Sequence, residues 1–156
     1  MPSGVVTTEI AASSAEVFAL LHDYSRRLEW DTLLSAAYLE PPAARAGLGA
    51  TSVCVGRSRH GRIAVRTRYV AFHPSQLAAV EMLGRSPFFA SFAASIRHQD
   101  LGTARSSVTY RFTFRARPRW LRFVLEPIMG ATFRRETRRR LVALQKFFLP
   151  PGTLRP

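Results

Sequence analysis

The sequence contains few residues of the kinds that build covalent or metal-based sites. Cys54 is the only cysteine, so an internal disulfide is excluded and no second thiol is present for a metal or redox motif. The motifs of phosphate-binding loops, zinc proteases and nucleophile elbows are also missing. We therefore predict no metal and no cofactor.

Long apolar runs are missing as well. No stretch approaches the roughly 18 to 20 consecutive apolar residues that a membrane-spanning helix needs. The N-terminus, MPSGVVTTEI, lacks the basic-then-apolar order of a signal peptide. A length of 156 residues with 47% hydrophobic and 21% charged residues is typical of one globular domain. These features predict a cytoplasmic protein with a single domain over residues 1–149 and a frayed, proline-rich tail over residues 150–156.

Acidic residues are scarce beyond the first 44 residues. The chain has a formal net charge of +13, and residues 1–44 contain two arginines and six acidic residues, which leaves +17 for the remainder. Such a charge predicts attraction to anionic lipid surfaces, nucleic acid or acidic ligands, and this attraction should weaken with salt.

The first part of the chain reads as a strand followed by two short helices. A strand is predicted for residues 5–11, and Ser13 and Ser14 are N-cap candidates with Glu16 in the first turn of a helix. Apolar side chains then recur at helical spacing at Val17, Phe18, Leu20 and Leu21. A second short helix is predicted for residues 25–30.

The middle of the chain alternates strand-like segments with short turns. The predicted strands are residues 51–57, 62–72, 77–83, 88–98 and 104–116. Because the connections are short, we expect antiparallel neighbours. In the last segment one face carries Val108, Tyr110, Phe112 and Phe114, and the opposite face carries Arg105, Thr109, Arg111, Thr113 and Arg115. This pattern indicates a sheet with one buried face.

After Pro118 the apolar spacing becomes helical and continues to Phe148, with a kink expected near Pro127 and Gly130. The face predicted to lie on the sheet contains Trp120, Val124, Ile128, Ala131, Phe133, Leu141, Leu144 and Phe148. The opposite side carries Arg134, Arg135, Arg138, Arg139 and Arg140.

Two segments carry a resemblance to a known superfamily. They are SSAEVFALLHDYSRRLEWDTLLSAAYLE, with Val17, Phe18, Trp30 and Asp31, and the closing RRRLVALQKFF. Together with the order of elements, they resemble the helix-grip fold of the START/Bet v 1-like (SRPBCC) superfamily, and most of all its polyketide cyclase/dehydrase and lipid-transport family. The resemblance implies an α+β fold in which a curved antiparallel sheet of about seven strands wraps around a long C-terminal helix. It also implies a cavity between sheet and helix that holds lipids, sterols, aromatic polyketides or hormones.

The strand phases and the apolar face of the final helix predict which side chains would line such a cavity. The candidates are Val65, Thr67, Tyr69, Phe92, Ile96, His98, Val108, Tyr110, Phe112, Trp120, Val124 and Ile128, and the same phasing places Val53 and Val55 inward. This lining is mostly apolar with a few hydroxyl or imidazole groups, as a hydrophobic ligand requires. Ordinary core packing without a ligand explains the same aliphatic and aromatic positions.

Residues for catalysis are scattered rather than grouped. His98, Tyr110 and Tyr69 are the weak candidates, and His22, His60, His73, Asp31 and Glu81 form no recognisable constellation. His60 and His73 lie in predicted turns, and Trp30 and Asp31 are expected to pack and cap the second helix.

Three functions remain open on this reading. The first is a carrier or sensor that binds a hydrophobic small molecule, and the second is an enzyme resembling polyketide aromatase/cyclases. The third is docking on an anionic membrane through Arg134, Arg135, Arg138 and Arg139. Nucleic acid is disfavoured as a partner because no exposed aromatic residues interleave with the arginines. A homodimer through the sheet edges stays open.

Overall fold

The fold is a seven-stranded sheet and a long helix joined by short connections. The computed structural model describes residues 2–57 and 63–150. Its elements are β1 Ser3–Ile10, α1 Ser14–His22, α2 Arg27–Trp30, β2 Leu34–Leu39, β3 Thr51–Gly56, β4 Ala64–His73, β5 Leu77–Met82, β6 Phe89–Gly102, β7 Arg105–Ala116 and α3 Arg122–Phe147, with a 3₁₀ turn at Arg119–Leu121. The predicted turn around His60 and the tail beyond Pro150 lie outside the described residues.

The sheet is antiparallel throughout, with the strand order β1-β7-β6-β5-β4-β3-β2. The first strand therefore pairs with the last, and Val6 of β1 lies opposite Tyr110 of β7. The expected curved sheet of about seven strands with a long C-terminal helix is confirmed. One strand, β2, was missed by the residue pattern, because its sequence LSAAYL is short and rich in small residues that alternate weakly.

The start of α1 is fixed by the predicted serines. Ser13 is the N-cap, and its side chain accepts a hydrogen bond from the backbone N–H of Glu16 while the Glu16 carboxylate accepts one from the backbone N–H of Ser13. This is a capping box, which pairs two backbone donors that the helix itself leaves free. Ser14 donates from its backbone N–H and its hydroxyl to the carboxylate of Asp100 at 2.8 and 3.0 Å, which ties α1 to the end of β6.

The second half of α3 packs against β1 and β7. Leu141 and Leu144 are buried in one core with Val6, Ile10, Val17 and Val108. Near the middle of α3 the backbone of β1 approaches closely at Gly4. A Cβ atom there would overlap the ring of Phe112 and lie 3.0 Å from Cγ of Arg134, so only glycine fits between the ring and the helix.

The inward face of α3 differs from the prediction at its N-terminal end. Trp120 lies in the 3₁₀ turn and is 74% exposed, and Val124 is 43% exposed. The predicted Phe133 faces the sheet, Ile128 contributes to the space under the helix although it is 60% exposed, and Leu125 and Met129, which were not predicted, also face inward. Apolar residues occupy nearly every side of this segment, so the spacing alone could not select the buried one.

The phase of β3 also differs from the prediction by one residue. Ser52, Cys54 and Gly56 face the space under the helix, rather than Val53 and Val55. Hydrophobicity favoured the two valines, but the pairing of β3 with β4 sets the phase by placing Ser52 opposite Thr67. Their hydroxyl oxygens lie 2.9 Å apart. The inner face of β3 is consequently made of small side chains.

Candidate functional site

A cavity of about 860 Å³ lies between the inner face of the sheet and α3. Its walls come from β3 to β7, from α3 and from the α1–α2 segment, and its apolar part is formed by Val65, Val80, Phe89, Phe92, Ala94, Ile96, Leu125, Met129 and Phe133. A volume of this size is typical of sites for small organic ligands. The space therefore suits a hydrophobic molecule far larger than water.

The structure brings together most of the predicted cavity residues. Those that line the cavity are Val65, Thr67, Tyr69, Phe92, Ile96, Tyr110 and Ile128. Val108, Phe112 and His98 are buried but lie outside the lining, while Trp120 and Val124 lie at the surface. Whether any of them contacts a ligand stays a prediction.

One wall is a cluster of aromatic rings centred on Phe133 of α3. Its ring centroid lies 5.4 Å from that of Phe89, 5.5 Å from Phe92, 5.4 Å from Phe112 and 5.5 Å from Phe114. Such ring pairs stabilise a fold by more than the burial of their apolar area alone. The cluster anchors α3 on β6 and β7 at one end of the cavity.

At another wall three polar side chains form a hydrogen-bonded chain. The Tyr69 hydroxyl lies 2.8 Å from Nδ1 of His22 and 3.1 Å from the Tyr24 hydroxyl. Burial, followed by the neighbouring Tyr24, raises the pKa of Tyr69, and burial together with Arg27 and His98 lowers the pKa of His22 to about 3. At neutral pH Tyr69 and His22 are therefore uncharged, and Nε2 of His22 has no hydrogen-bond partner among the described residues.

His98 is buried near these three side chains, and its own side chain forms no hydrogen bond with the described residues. Its ring packs edge-on to Phe18 at 5.1 Å, and neither ring nitrogen has a hydrogen-bond partner among the described residues. Burial lowers the pKa of His98 to about 4. An imidazole in this position is a neutral packing group with two unpaired nitrogens.

The most highly charged part of the site is a buried cluster of Arg27, Asp31 and Arg140. Oδ2 of Asp31 accepts hydrogen bonds from Nε of Arg27 at 3.1 Å and from Nε of Arg140 at 3.0 Å, and Nη2 of Arg140 lies 2.8 Å from it. Nη1 of Arg27 donates to the carbonyl oxygen of Leu21 at 2.8 Å, and its guanidinium lies 4.7 Å from the ring centre of Trp30. The cluster joins the C-terminal end of α2 to α3.

Electrostatics keeps this cluster ionised. Burial alone would raise the pKa of Asp31, but Arg140 and Arg27 outweigh that effect and hold the pKa below its usual value. Burial likewise acts to lower the pKa of Arg140, and the charge of Asp31 more than compensates by raising it. The cluster therefore carries two positive charges and one negative charge.

This cluster was not predicted. Asp31 was expected to cap the second helix and Arg140 to face solvent. The spacing of Arg27 and Asp31, four residues apart across a short helix, is a signal for an ion pair. No local sequence pattern indicates that Arg140 belongs to the cluster, because it is 109 positions from Asp31 in the sequence.

The predicted basic surface lies on the outer side of α3. Arg134, Arg135, Arg138 and Arg139 border a groove with Lys146, Thr32 and Leu33. Near the start of α3, Trp120, Phe123 and Ile128 are 74%, 79% and 60% exposed. Within the described residues no helix is both long and apolar enough to cross a membrane, and no group of three or more His, Cys, Asp or Glu side chains could hold a metal ion.

Removing the charge of Asp31 should destabilise the fold. Asp31→Asn leaves two buried guanidiniums without a counter-charge, and breaking a buried ion pair in this way costs about 3–5 kcal/mol. Urea denaturation measures the change in the free energy of unfolding. Glu29→Gln is the control, because Glu29 pairs with Arg26 where both side chains are 48% exposed, and it should leave stability nearly unchanged. Equal stabilities of the two variants would contradict the assigned role of Asp31.

The two buried histidines should make stability fall in mild acid. Their pKa values of about 3 and about 4 lie below the value of about 6.5 for a histidine in an unfolded chain, so the unfolded state binds protons first as the pH falls. Stability should be insensitive to these groups above about pH 6.5 and decrease below it, by up to about 1.4 kcal/mol per pH unit for each histidine.

The variant His98→Phe tests this pH dependence. It removes one of the two titrating groups and two unpaired nitrogens, so the loss of stability between about pH 6.5 and about pH 4 should be roughly halved. Urea denaturation at several pH values gives the comparison. His73→Gln, at the exposed end of β4, should retain the wild-type dependence. If the stability of His98→Phe had the same pH dependence as that of the wild type, His98 would not be one of the groups that cause it.

Comparison with known proteins agrees with this geometry. Residues 1–148 match the family described as polyketide cyclase/dehydrase and lipid transport. A START superfamily protein from Mycobacterium smegmatis has 11% sequence identity and a TM-score of 0.78, with 94% of this chain and 96% of that chain covered. The Zhui aromatase/cyclase from a Streptomyces species has 15% identity and a TM-score of 0.74, with 92% of this chain and 91% of that chain covered.

A third similar structure is the di-domain ARO/CYC BexL from the BE-7585A biosynthetic pathway, with 12% identity and a TM-score of 0.78. The chain covers 46% of that protein, and 94% of this chain is covered. No curated protein sequence matches the chain. At these identities the structural likeness shows the fold alone, and it is the match over residues 1–148 that identifies the family. The chain therefore belongs to the polyketide cyclase/dehydrase and lipid transport family.

Proposed function

We propose that the protein binds a hydrophobic small molecule in the cavity under α3, as a carrier or sensor. The observation that carries this proposal is the space of about 860 Å³ whose walls are mainly aliphatic and aromatic. Protein interiors are close-packed, and an unfilled apolar space of this size forfeits contacts along its whole lining. A ligand of lipid or aromatic-metabolite type would restore those contacts.

The pKa values and positions of the polar side chains His22, Tyr69 and His98 favour binding over catalysis. A general base works best when its pKa lies near the operating pH, and the pKa of His22 is about 3. The raised pKa of Tyr69 makes it a poor proton donor. His98, the remaining histidine near the site in the part of the chain that the structure describes, is buried outside the lining.

The alternative is an activity like that of the aromatase/cyclases. It is favoured by the names of two structurally similar proteins and by the position of Tyr69, Tyr110 and Thr67 on one cavity wall. Native mass spectrometry of protein purified from its own host distinguishes the two functions. A bound molecule released unchanged after long incubation supports the carrier, whereas conversion of an added polyketide that is lost in Tyr69→Phe supports the enzyme.

Filling the cavity should abolish binding. Val80→Trp adds an indole to the lining on β5, so the affinity for a fluorescent hydrophobic probe should fall more than about tenfold, because overpacking leaves no room for the ligand. Val5→Trp is the matched control, since Val5 is 50% exposed on β1 and lies outside the lining. Fluorescence titration measures both affinities. Equal affinities of the two variants would mean that the probe binds elsewhere.

A second candidate function is docking on an anionic membrane. Trp120 in the 3₁₀ turn and Phe123 in the first turn of α3 are exposed apolar side chains, close in sequence to Arg117, Arg119 and Arg122. Aromatic side chains favour the membrane interface, and each nearby basic residue contributes about 1 kcal/mol on an anionic surface. The basic groove of Arg134, Arg135, Arg138 and Arg139 extends the positive charge along α3.

Vesicle flotation tests membrane docking. Binding should increase with the fraction of phosphatidylglycerol in phosphatidylcholine vesicles and decrease with salt. The double variant Trp120→Ala/Phe123→Ala should reduce the bound fraction at least about threefold. Leu48→Ala, at an apolar residue that is 73% exposed on the β2–β3 connection, should leave it unchanged. Binding that is indifferent to anionic lipid would exclude this function.

A further inference from the structure

We infer that the ligand of the cavity is an amphiphile with a carboxylate group, which Arg140 and Arg27 bind beside Asp31. This inference rests on the proposed binding function and narrows its ligand class. It comes from an imbalance of charge on the cavity wall and from the way the two guanidiniums share one acidic partner.

The lining carries far more positive than negative charge. Among the described residues five arginines line the cavity, namely Arg27, Arg57, Arg117, Arg139 and Arg140, against one acidic residue, Glu136. Glu136 accepts a hydrogen bond from Nη1 of Arg139 at 3.3 Å, so its charge is matched within the wall. The remaining arginines favour an anion in a cavity that is otherwise apolar.

The buried cluster has a surplus of donors as well as of charge. Both arginines bind the same oxygen, Oδ2 of Asp31, and Oδ1 accepts only the longer hydrogen bond from the backbone N–H of Leu33 at 3.4 Å among the described residues. Arg27 alone would neutralise Asp31. Arg140 brings a further positive charge to a site where its side chain is 24% exposed, and its Nη1 has no hydrogen-bond partner in the described part of the chain.

Tyr110 adds a neutral donor next to this charge. It lines the same cavity, and its hydroxyl makes no hydrogen bond with the described residues, unlike that of Tyr69. Burial raises the pKa of Tyr110, and Arg140 is close enough to act against that rise. The hydroxyl therefore stays protonated and can donate to an anion that lies on Arg140.

The charge of the cluster favours a carboxylate over a phosphate. Two guanidiniums and one carboxylate leave one positive charge, which a single carboxylate neutralises, whereas a phosphate monoester carries about −1.5 to −2 at pH 7. The planar fork of a guanidinium matches the two oxygens of a carboxylate. The apolar walls beyond the cluster take the rest of the molecule.

The test compares a fatty acid with its uncharged counterpart on the wild-type protein. Dansyl-undecanoic acid should bind at least about tenfold more tightly than its methyl ester, as expected for one charge-assisted pair. In displacement assays lauric acid should compete better than lauryl alcohol and better than monolauryl phosphate.

Variants assign the preference to the cluster. Arg140→Gln should reduce the affinity for the acid about tenfold more than that for the ester, and Arg140→Lys, which keeps the charge, should retain most of the preference. Arg111→Gln removes the same charge from the exposed outer face of β7 and should change neither affinity. Circular dichroism checks that each variant is folded.

Each result decides the inference. Equal binding of acid and ester, or an acid preference that survives in folded Arg140→Gln, overturns the carboxylate assignment and leaves the binding function intact. Stronger displacement by monolauryl phosphate replaces the carboxylate with a phosphate. Failure of acid, ester and alcohol alike to bind overturns both the inference and the proposed function.

Discussion

The interaction on which the rest of the structure depends is the buried ion-pair cluster of Asp31 with Arg27 and Arg140. Asp31 ends α2 and Arg140 lies in the second half of α3, so this contact fixes the helix over the open side of the sheet. Buried charges are costly to desolvate, and the three guanidinium nitrogens of Arg27 and Arg140 at 2.8–3.1 Å from Asp31 offset that cost here. The same contact places positive charge on the cavity wall, so stability and the proposed carboxylate preference rest on the same residues.

The cavity exists because large and small side chains are segregated. Phe133 and its aromatic partners pack α3 on β6 and β7 at one end, and Leu141 and Leu144 pack it on β1 and β7 at the other. On the strands beyond these supports, β5 and β3, the inner face of the sheet carries the small residues Ala78, Ser52, Cys54 and Gly56. Close packing is thus satisfied around the space rather than within it.

Much of the fold could be predicted from local patterns. The capping box of Ser13 and Glu16, the alternation of β7 and the helical spacing after Pro118 each lie within one short segment, so nothing distant is needed to read them. The phase of β3 could not be read in this way, because its valines are the more hydrophobic choice and the pairing with β4 turns Ser52 inward instead. The buried side of the first turns of α3 could not be predicted either, because apolar residues occupy nearly every side of the helix there.

The sequence by itself determined the order of strands and helices apart from β2, the strongly basic character and an apolar inner face with few polar groups, because these follow from composition and from periods of two and 3.6 residues. Only the tertiary structure decided which polar groups meet. His22 reaches Tyr69 across 47 positions and Asp31 reaches Arg140 across 109, and no local pattern encodes contacts between residues so far apart. The cavity lining on β4 is foreseeable from patterning, whereas the charge of the cavity depends on contacts between distant parts of the chain.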